Sequence, residues 1–390
     1  MMQTPALSSQ SFDTAQLSST ATVSQKPRIL YVITRAERGG AQTHLLILLS
    51  ELRREFDLGL AVGEEGFLTA EAQRLGIEVF VIPELTRSVS FLRDLQATKA
   101  VAATIRDFRA NLMHAHSSKA GVIGRLASTI TGVPSVFTVH GWAFADGATT
   151  GRKLVAIPTE WFASKFGTHT ITVSSSDEAL ARRFGMHRRG NIATIHNAVY
   201  EPRLHAKPEK QPPVVTMVAR FCYQKDHSTL LKALSQINTE YSLWLIGDGP
   251  NRSSLEKQVN ELGLHERTTF FGTVSDPSEL LARSQVLVLT SRYEGLPMSI
   301  LEGMSLGLPT IATDVGGVRE LIKDGETGYL VRKENIESVR SALQRMLVDP
   351  GLRRAFGRAA KDRCRQHFSV QQMTAQTSAT YRSILINSRS

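Results

Sequence analysis

Cysteine is nearly missing from this chain: Cys222 and Cys364 are the only two in 390 residues. Neither a disulfide framework nor a cysteine-based zinc site is indicated, and a reducing compartment is expected. No apolar run approaches the roughly 18 residues that a membrane-spanning helix needs. The first 25 residues are rich in Ser, Thr and Gln and lack both a basic start and an apolar centre, so they are not expected to act as a secretory leader. The expectation is a disordered tail over 1–26 ahead of a cytoplasmic catalytic part.

Two missing motifs exclude more. The dinucleotide fingerprint Gly-x-Gly-x-x-Gly is absent from both turns that could carry it. The turn after RILYVI has Gly39-Gly40 alone, and Gly247-Asp248-Gly249-Pro250 is followed by Arg252 where the third glycine would stand. A nicotinamide or flavin enzyme is therefore disfavoured. No Asp-x-Asp pair occurs, so the usual carboxylate clamp for a divalent ion is lacking, and neither a metal nor another cofactor is expected. The formal charge is +10, shared about equally between the two halves. It forms no long basic run interleaved with aromatics, so nucleic acid is not an expected partner. Arg182, Arg183, Arg188 and Arg189 are the densest cluster, a candidate contact for anionic lipid and otherwise a solvated helix end.

What is present is alternation. RILYVI leads through TRAERGG into the apolar-periodic AQTHLLILLSELRREF, the opening of a βαβ unit. LGLAVG and EVFVI read as strands and DLQATKAVAATIRDF as a helix, followed by strands LMHAH and SVFTVH. A parallel sheet follows, whose ligands bind beyond the carboxyl ends of the strands. Gly39, Gly40, His116, Ser117, Lys119, His140 and Trp142 fall there, whereas His114 reads as a packed core histidine. Pro158 is expected to open a helix whose Trp161, Phe162 and Phe166 face the core. The proline-rich YEPRLHAKPEKQPP reads as a linker. VVTMVA then starts a second series, whose first turn carries Arg220 and Lys225 in place of glycines, both able to reach one diphosphate. The glycines of Gly247-Asp248-Gly249 are expected to leave room for a ligand edge, and Val274 lies where backbone groups could read a base.

The densest chemistry lies in residues 286–320, VLVLTSRYEGLPMSILEGMSLGLPTIATDVGGVRE. A strand to Leu289 enters a polar loop, Pro297 stands where a helix begins, and Gly307 and Pro309 stop that helix before the next strand. Because Pro297 disfavours helical geometry at Leu296, Glu294 stays in the loop and can curl over the helix mouth. Glu302 points along the helix, and the free N–H groups around Leu296, Pro297, Met298 and Ser299 make an anion site between the two carboxylates. That layout suits a nucleotide sugar.

The string from Tyr293 resembles the E-x7-E signature of the retaining glycosyltransferases of family 4. So does the ordered set Gly39-Gly40, His140-Gly141, A-R-F-x-x-x-K-D from Ala219, G-D-G-P, F-F-G from Phe270 and D-V-G-G from Asp314. VHGWAF and HSSKAG look like the branch that builds capsular and extracellular polysaccharides in bacteria. The resemblance implies an α/β GT-B fold of two facing Rossmann-like lobes with the ligand cleft between them. One lobe, for acceptor, would comprise 27–200 plus a returning C-terminal helix in 368–390, and the other, for donor, 214–367, joined by 201–213.

By position it implies Arg220 and Lys225 on the donor diphosphate, Glu302 on the ribose and Glu294 on the transferred sugar. His140 would touch the sugar from the opposite lobe, and Gly40, Gly247, Val274, Leu296, Pro297, Met298 and Ser299 would complete the donor site. Gly39, His116, Ser117, Lys119 and Trp142 would fall on the acceptor side. The implied reaction is metal-free, retaining transfer from a UDP-hexose or UDP-N-acetylhexosamine to a glycan or polyprenyl-diphosphate-linked glycan, with peripheral contact to an anionic membrane. Tyr-Glu-Gly-Leu-Pro departs from the Pro-Glu-Phe-Gly of many relatives. The competing readings are a sugar-nucleotide epimerase on the same architecture and an inactive nucleotide-sugar binding protein.

Overall fold

A computed structural model describes residues 26–88, 90–186 and 191–388. The proposed tail, apart from Lys26, and Arg188 and Arg189 of the basic cluster lie outside these residues. The first lobe alternates strictly along the chain: β1 (Arg28–Ile33), α1 (Gly40–Leu52), β2 (Asp57–Val62), α2 (Phe67–Arg74), β3 (Glu78–Val81), α3 (Phe91–Asp107), β4 (Leu112–His116), α4 (Ser118–Thr131), β5 (Ser135–Val139), α5 (Thr150–Ala163), β6 (His169–Thr172), α6 (Ser175–Arg183) and β7 (Ile192–Thr194). Its seven strands are all parallel in the order β3-β2-β1-β4-β5-β6-β7.

An irregular segment over 201–213 leads to the second lobe. This runs β8 (Val214–Val218), α7 (His227–Leu234), β9 (Ser242–Ile246), α8 (Arg252–Glu261), β10 (Thr268–Gly272), α9 (Ser278–Arg283), β11 (Val286–Leu289), α10 (Met298–Leu306), β12 (Thr310–Thr313), α11 (Val318–Leu321), β13 (Gly328–Val331), α12 (Ile336–Val348) and α13 (Pro350–His367). Its six parallel strands lie in the order β10-β9-β8-β11-β12-β13. The central strands are apolar throughout because helices cover both faces, as RILYVI and VLVL foretold. In each lobe the strand order reverses beside the first strand, β1 or β8, and the crevice at that switch point is where ligands of open α/β sheets bind.

The last helix, α14 (Val370–Asn387), packs on α1 of the first lobe. Its Tyr381 hydroxyl donates to that of Tyr31 at 3.1 Å and bonds His114 Nδ1, while Ser378 and Arg382 both hold Glu55, at 2.7 and 2.8 Å. His114 is a core residue, its other nitrogen 2.7 Å from Thr138 Oγ1.

Several local expectations are corrected. The helix around Pro158 starts eight residues earlier, at Thr150, and carries the proline inside it. Leu154 and Pro158 both face solvent, where water can satisfy the carbonyl that the proline leaves without a donor. Trp161 and Phe162 are exposed rather than core, because the buried face of α5 is set by Glu160 and Ala163. Glu160 is drawn inward by Arg125 of α4, buried with it at 2.6 Å, and the neighbouring aromatics are turned out. The first helix ends at Leu52 rather than Phe56, α3 begins three residues before Asp94, and only Ile192–Thr194 of the IATIHNAV segment pairs as strand. Helix α2 was not foreseen.

Candidate active site

Both sheets point the carboxyl ends of their strands into one cleft, of about 1540 Å³. That exceeds the roughly 300–1,000 Å³ of an ordinary small-molecule site and leaves room for two substrates.

The floor on the second lobe is the mouth of α10. Pro297 is its N-cap in extended geometry and no side chain caps the first turn, so backbone N–H groups there are open to an anion. Glu294 lies in the preceding loop, almost fully buried, and accepts a 2.5 Å hydrogen bond from Lys225 Nζ. Lys225 ends a short 3-10 turn, after which Asp226 takes a left-handed backbone (φ 49°) to start α7. Arg220 lies across the cleft from the β1–α1 turn and reaches Glu37 Oε1 at 3.5 Å. Glu302 lines the cleft one turn into α10; burial pushes its carboxyl up to about 7, with Arg38 opposing and Asp276 adding to the rise.

Glycine positions explain how the Glu294 loop is held. A Cβ at Gly316 (φ 51°) would stand 1.9 Å from the Glu294 carbonyl oxygen, and one at Gly295 would stand 2.7 Å from the His140 carbonyl oxygen. Gly295, one of the residues at which this chain departs from the common signature, is where the His140-Gly141 turn of the other lobe rests. Gly247 (φ 136°) and Gly249 (φ 158°) line the cleft, but a Cβ there would meet the carbonyls of Ala219 and Phe221 at 2.1 and 2.4 Å. Their main duty is close strand-end packing rather than room for a ligand. Gly39 is extended (φ −174°) and so is not required as glycine by its backbone, while a Cβ at Gly40 would sit 3.4 Å from Met298 Cγ. That is ordinary contact with a flexible side chain, so space at the α10 mouth does not by itself require glycine at position 40.

From the first lobe, His140 enters the cleft at the end of β5. Its Nε2 lies 3.0 Å from His116 Nδ1, the rings stacked, and His44 meets His140 edge-on. Burial lowers all three imidazoles, His44 to about 4, with repulsion from His114, His140 and His44 lowering His116 further and that from His44 and His114 lowering His140, so they are neutral at pH 7. A neutral imidazole carries one N–H and one lone pair, so His140 can exchange a hydrogen bond with a sugar hydroxyl. His44, His116 and His140 have ring nitrogens within 4.8 Å of one another, the one grouping among the described residues with the proximity to hold a metal ion.

Gly39, Gly40, Ser117, Lys119, His140, Arg220, Lys225, Gly247, Val274, Glu294, Leu296, Pro297, Met298, Ser299 and Glu302 are all brought to the cleft. Two expected residues are not. His116 lies fully buried behind His140, because β4 turns alternate side chains to opposite faces and the helix layer covers it. Trp142 is buried too: its backbone N–H donates to the Asp177 carboxylate at 3.3 Å and its Nε1 to the Asp177 carbonyl at 2.8 Å. Lys119 is committed to Asp94 at 2.5 Å. Conversely, Arg35, Glu37, Arg38, Arg87, Arg152 and Asn197 line the cleft without a motif in the sequence to announce them.

Residues 39–198 match the model described as a glycosyl transferase 4-like domain, and 202–363 match glycosyl transferases group 1. The chain is 30% identical over 341 residues to the UDP-Gal:alpha-D-GlcNAc-diphosphoundecaprenol alpha-1,3-galactosyltransferase of Escherichia coli, covering 79% of this chain and 88% of that one. It is likewise 30% identical to the Escherichia coli O-antigen biosynthesis glycosyltransferase WbnH, over 79% and 86%. Among solved structures, Anabaena Alr3699/HepE in complex with UDP and glucose superposes with a TM-score of 0.80 at 22% identity, over 92% of this chain and all of that one. The sucrose-phosphate synthase of Thermosynechococcus elongatus does so at 0.81 and 21%, over 93% and 100%.

Proposed function

Because this chain belongs to the group 1 glycosyl transferases and is a hexosyltransferase of two-lobed α/β fold, we propose that it transfers a hexosyl or N-acetylhexosaminyl group from a UDP-sugar to a lipid-linked or other glycan acceptor in cell-surface polysaccharide synthesis. The observation that carries this reading is the Lys225–Glu294 pair at the uncapped mouth of α10, directly across from His140. The Escherichia coli relative that acts on a diphosphoundecaprenol-linked sugar supports the acceptor class.

In this reading Arg220, Lys225 and the N–H groups from Met298 take the diphosphate, Val274 and its neighbours border the base, and Glu302 accepts from the ribose hydroxyls. Glu294 and His140 hold hydroxyls of the transferred sugar from opposite sides. The bond from the anomeric carbon to the diphosphate oxygen breaks and the bond to the acceptor oxygen forms on the same face. The acceptor proton passes to the departing phosphate oxygen, so configuration is retained. Negative charge developing on that diphosphate is met by Lys225, Arg220 and the helix terminus, fixed donors worth about 10²- to 10³-fold each. The transfer is metal-independent, a reading supported by the missing Asp-x-Asp clamp and by the cations already in place.

Thermal stabilisation across nucleoside diphosphates in EDTA tests it. UDP at about 100 times its dissociation constant should stabilise by about 2.7 kcal/mol, and Glu302→Ala should abolish the shift. No shift with any nucleotide, or a covalent sugar trapped on Glu294, would overturn the donor assignment or the front-face mechanism respectively.

A further inference from the structure

The cleft does not end where a nucleotide sugar would. It continues into the first lobe as an apolar groove walled by Phe91 and Leu95 of α3, Leu126 and Ile130 of α4, Val155 of α5 and Phe166 just beyond it. These three helices pack side by side. Large apolar side chains stand exposed on their outer faces: Phe91 is 83% exposed, Leu154 71% and Val155 62%, and Leu92, Trp161 and Phe162 are exposed too. More than half of the exposed large apolar side chains among the described residues lie on α3, α4 and α5. Singly scattered apolar residues need no explanation, but a contiguous set leading into an active-site cleft does.

Where this groove meets the donor end stand four of the five arginines that line the cavity, Arg35, Arg87, Arg152 and Arg220; Arg38 is the fifth. One carboxylate serves two of them, Glu37, at 2.6 Å from Arg35 and 3.5 Å from Arg220. Of the other carboxylates lining the cavity, Asp94 is committed to Lys119, Glu160 to Arg125, Glu294 to Lys225 and Asp248 to Arg252, while Glu302 lies in the field of Arg38, the fifth arginine. Arg87 has its pKa held below the ordinary value by burial and then by the fields of Arg220, Arg35 and Arg152, with Glu37 opposing. Positive charge is thus in excess between the donor pair and the mouth of an apolar channel.

We propose that this groove and its arginine collar bind an isoprenoid diphosphate, the diphosphate against Arg87 and Arg152 and the hydrocarbon chain along α3, α4 and α5. The proposal deepens the acceptor reading above and rests on it only for the identity of the sugar that the diphosphate would carry. The occupant follows from two chemistries in series, a cluster of cations suited to an anion of high charge density and then an apolar path. Each buried methylene of such a chain contributes about 0.8 kcal/mol, so chain length should govern affinity.

Equilibrium binding of farnesyl diphosphate to the full chain, below its micellar concentration and with saturating UDP, is the test, with inorganic diphosphate alongside. Farnesyl diphosphate should bind about 100-fold tighter than inorganic diphosphate and leave UDP in place. Val155→Asp should weaken farnesyl diphosphate at least about tenfold while UDP binding stays unchanged, which also reports an intact fold. Arg87→Ser with Arg152→Ser should weaken both diphosphates. Equal binding of the two diphosphates, or displacement of farnesyl diphosphate by UDP, overturns the proposal. If Val155→Asp reduces only sedimentation with phosphatidylglycerol vesicles, the face is a membrane-docking surface and the groove assignment fails. Loss of UDP binding alone, with farnesyl diphosphate still bound, would instead count against the donor site and leave the groove standing.

Discussion

Lys225 and Glu294 illustrate what a single side chain decides at this site. Their 2.5 Å contact joins residues 69 positions apart, and the cation it fixes is where a leaving diphosphate would need it. Lys225→Ala and Arg220→Ala should each lower turnover about 10²- to 10³-fold, checked by steady-state kinetics on one donor; near-wild-type rates in both would remove the assignment. Glu302 offers a second test, through pH. Its folded pKa of about 7 lies above the ordinary 4.5, so the folded chain holds more protons between those values, and stability contributed by this group falls as pH rises through that window. Glu302→Gln should therefore gain on the wild type, by on the order of 1–3 kcal/mol, between pH 4.5 and 7.5. Melting temperatures of both proteins at the two pH values measure it, and a constant difference would contradict it. These residue types and their spacing were readable in the sequence. That His116 and Trp142 withdraw into the core was not, because a strand end says where a residue lies and not which layer covers it.

At the scale of elements, α10 is the one on which the site depends. It sits so close to β11 that a Cβ at Gly303 would fall 2.5 Å from Leu287 Cδ2. That proximity sets the depth of the helix mouth relative to Glu294. Gly303→Val should overpack this contact and cost about 1–3 kcal/mol, seen as a lowered urea midpoint together with weaker UDP binding; a neutral midpoint would show the contact to be slack. The bounds of α10 came directly from Pro297 and Gly307, whose backbone preferences act locally. Helix α5 could not be read the same way. Pro158 signals a helix start by local rules, yet the Arg125–Glu160 pair on the neighbouring helix fixes which face is buried and carries the helix through the proline. Turning Trp161 and Phe162 outward is what leaves the apolar surface beside the groove.

On the scale of the whole molecule, the two lobes are latched by Glu320 of α11. It accepts the backbone N–H groups of Ser175 and Ser176 at the start of α6, at 3.0 and 3.2 Å, and bonds His196 Nε2 at 2.8 Å. Burial alone would raise this carboxyl, but His196 and the two N–H groups hold its pKa below the ordinary value, so the latch is complete above about pH 4.5 and is lost as pH falls through the depressed pKa. Glu320→Ala should open the lobes, read as a larger radius of gyration by small-angle scattering and a raised KM, since charge-assisted hydrogen bonds of this kind contribute about 1.5–3 kcal/mol each. An unchanged radius would make the pair incidental. Periodicity and turn chemistry by themselves determined the two βα series, the proline-rich joint between them and the loop–helix carrying both glutamates, because each depends on residues close in sequence. Only the tertiary structure decided that Glu294 meets Lys225, that His140 rests on Gly295, that α14 returns to Tyr31 and His114, and that an arginine collar opens onto an apolar groove. Those contacts join segments about 70 to 350 residues apart, and no local preference encodes which strand ends will face each other once two sheets close on a common cleft.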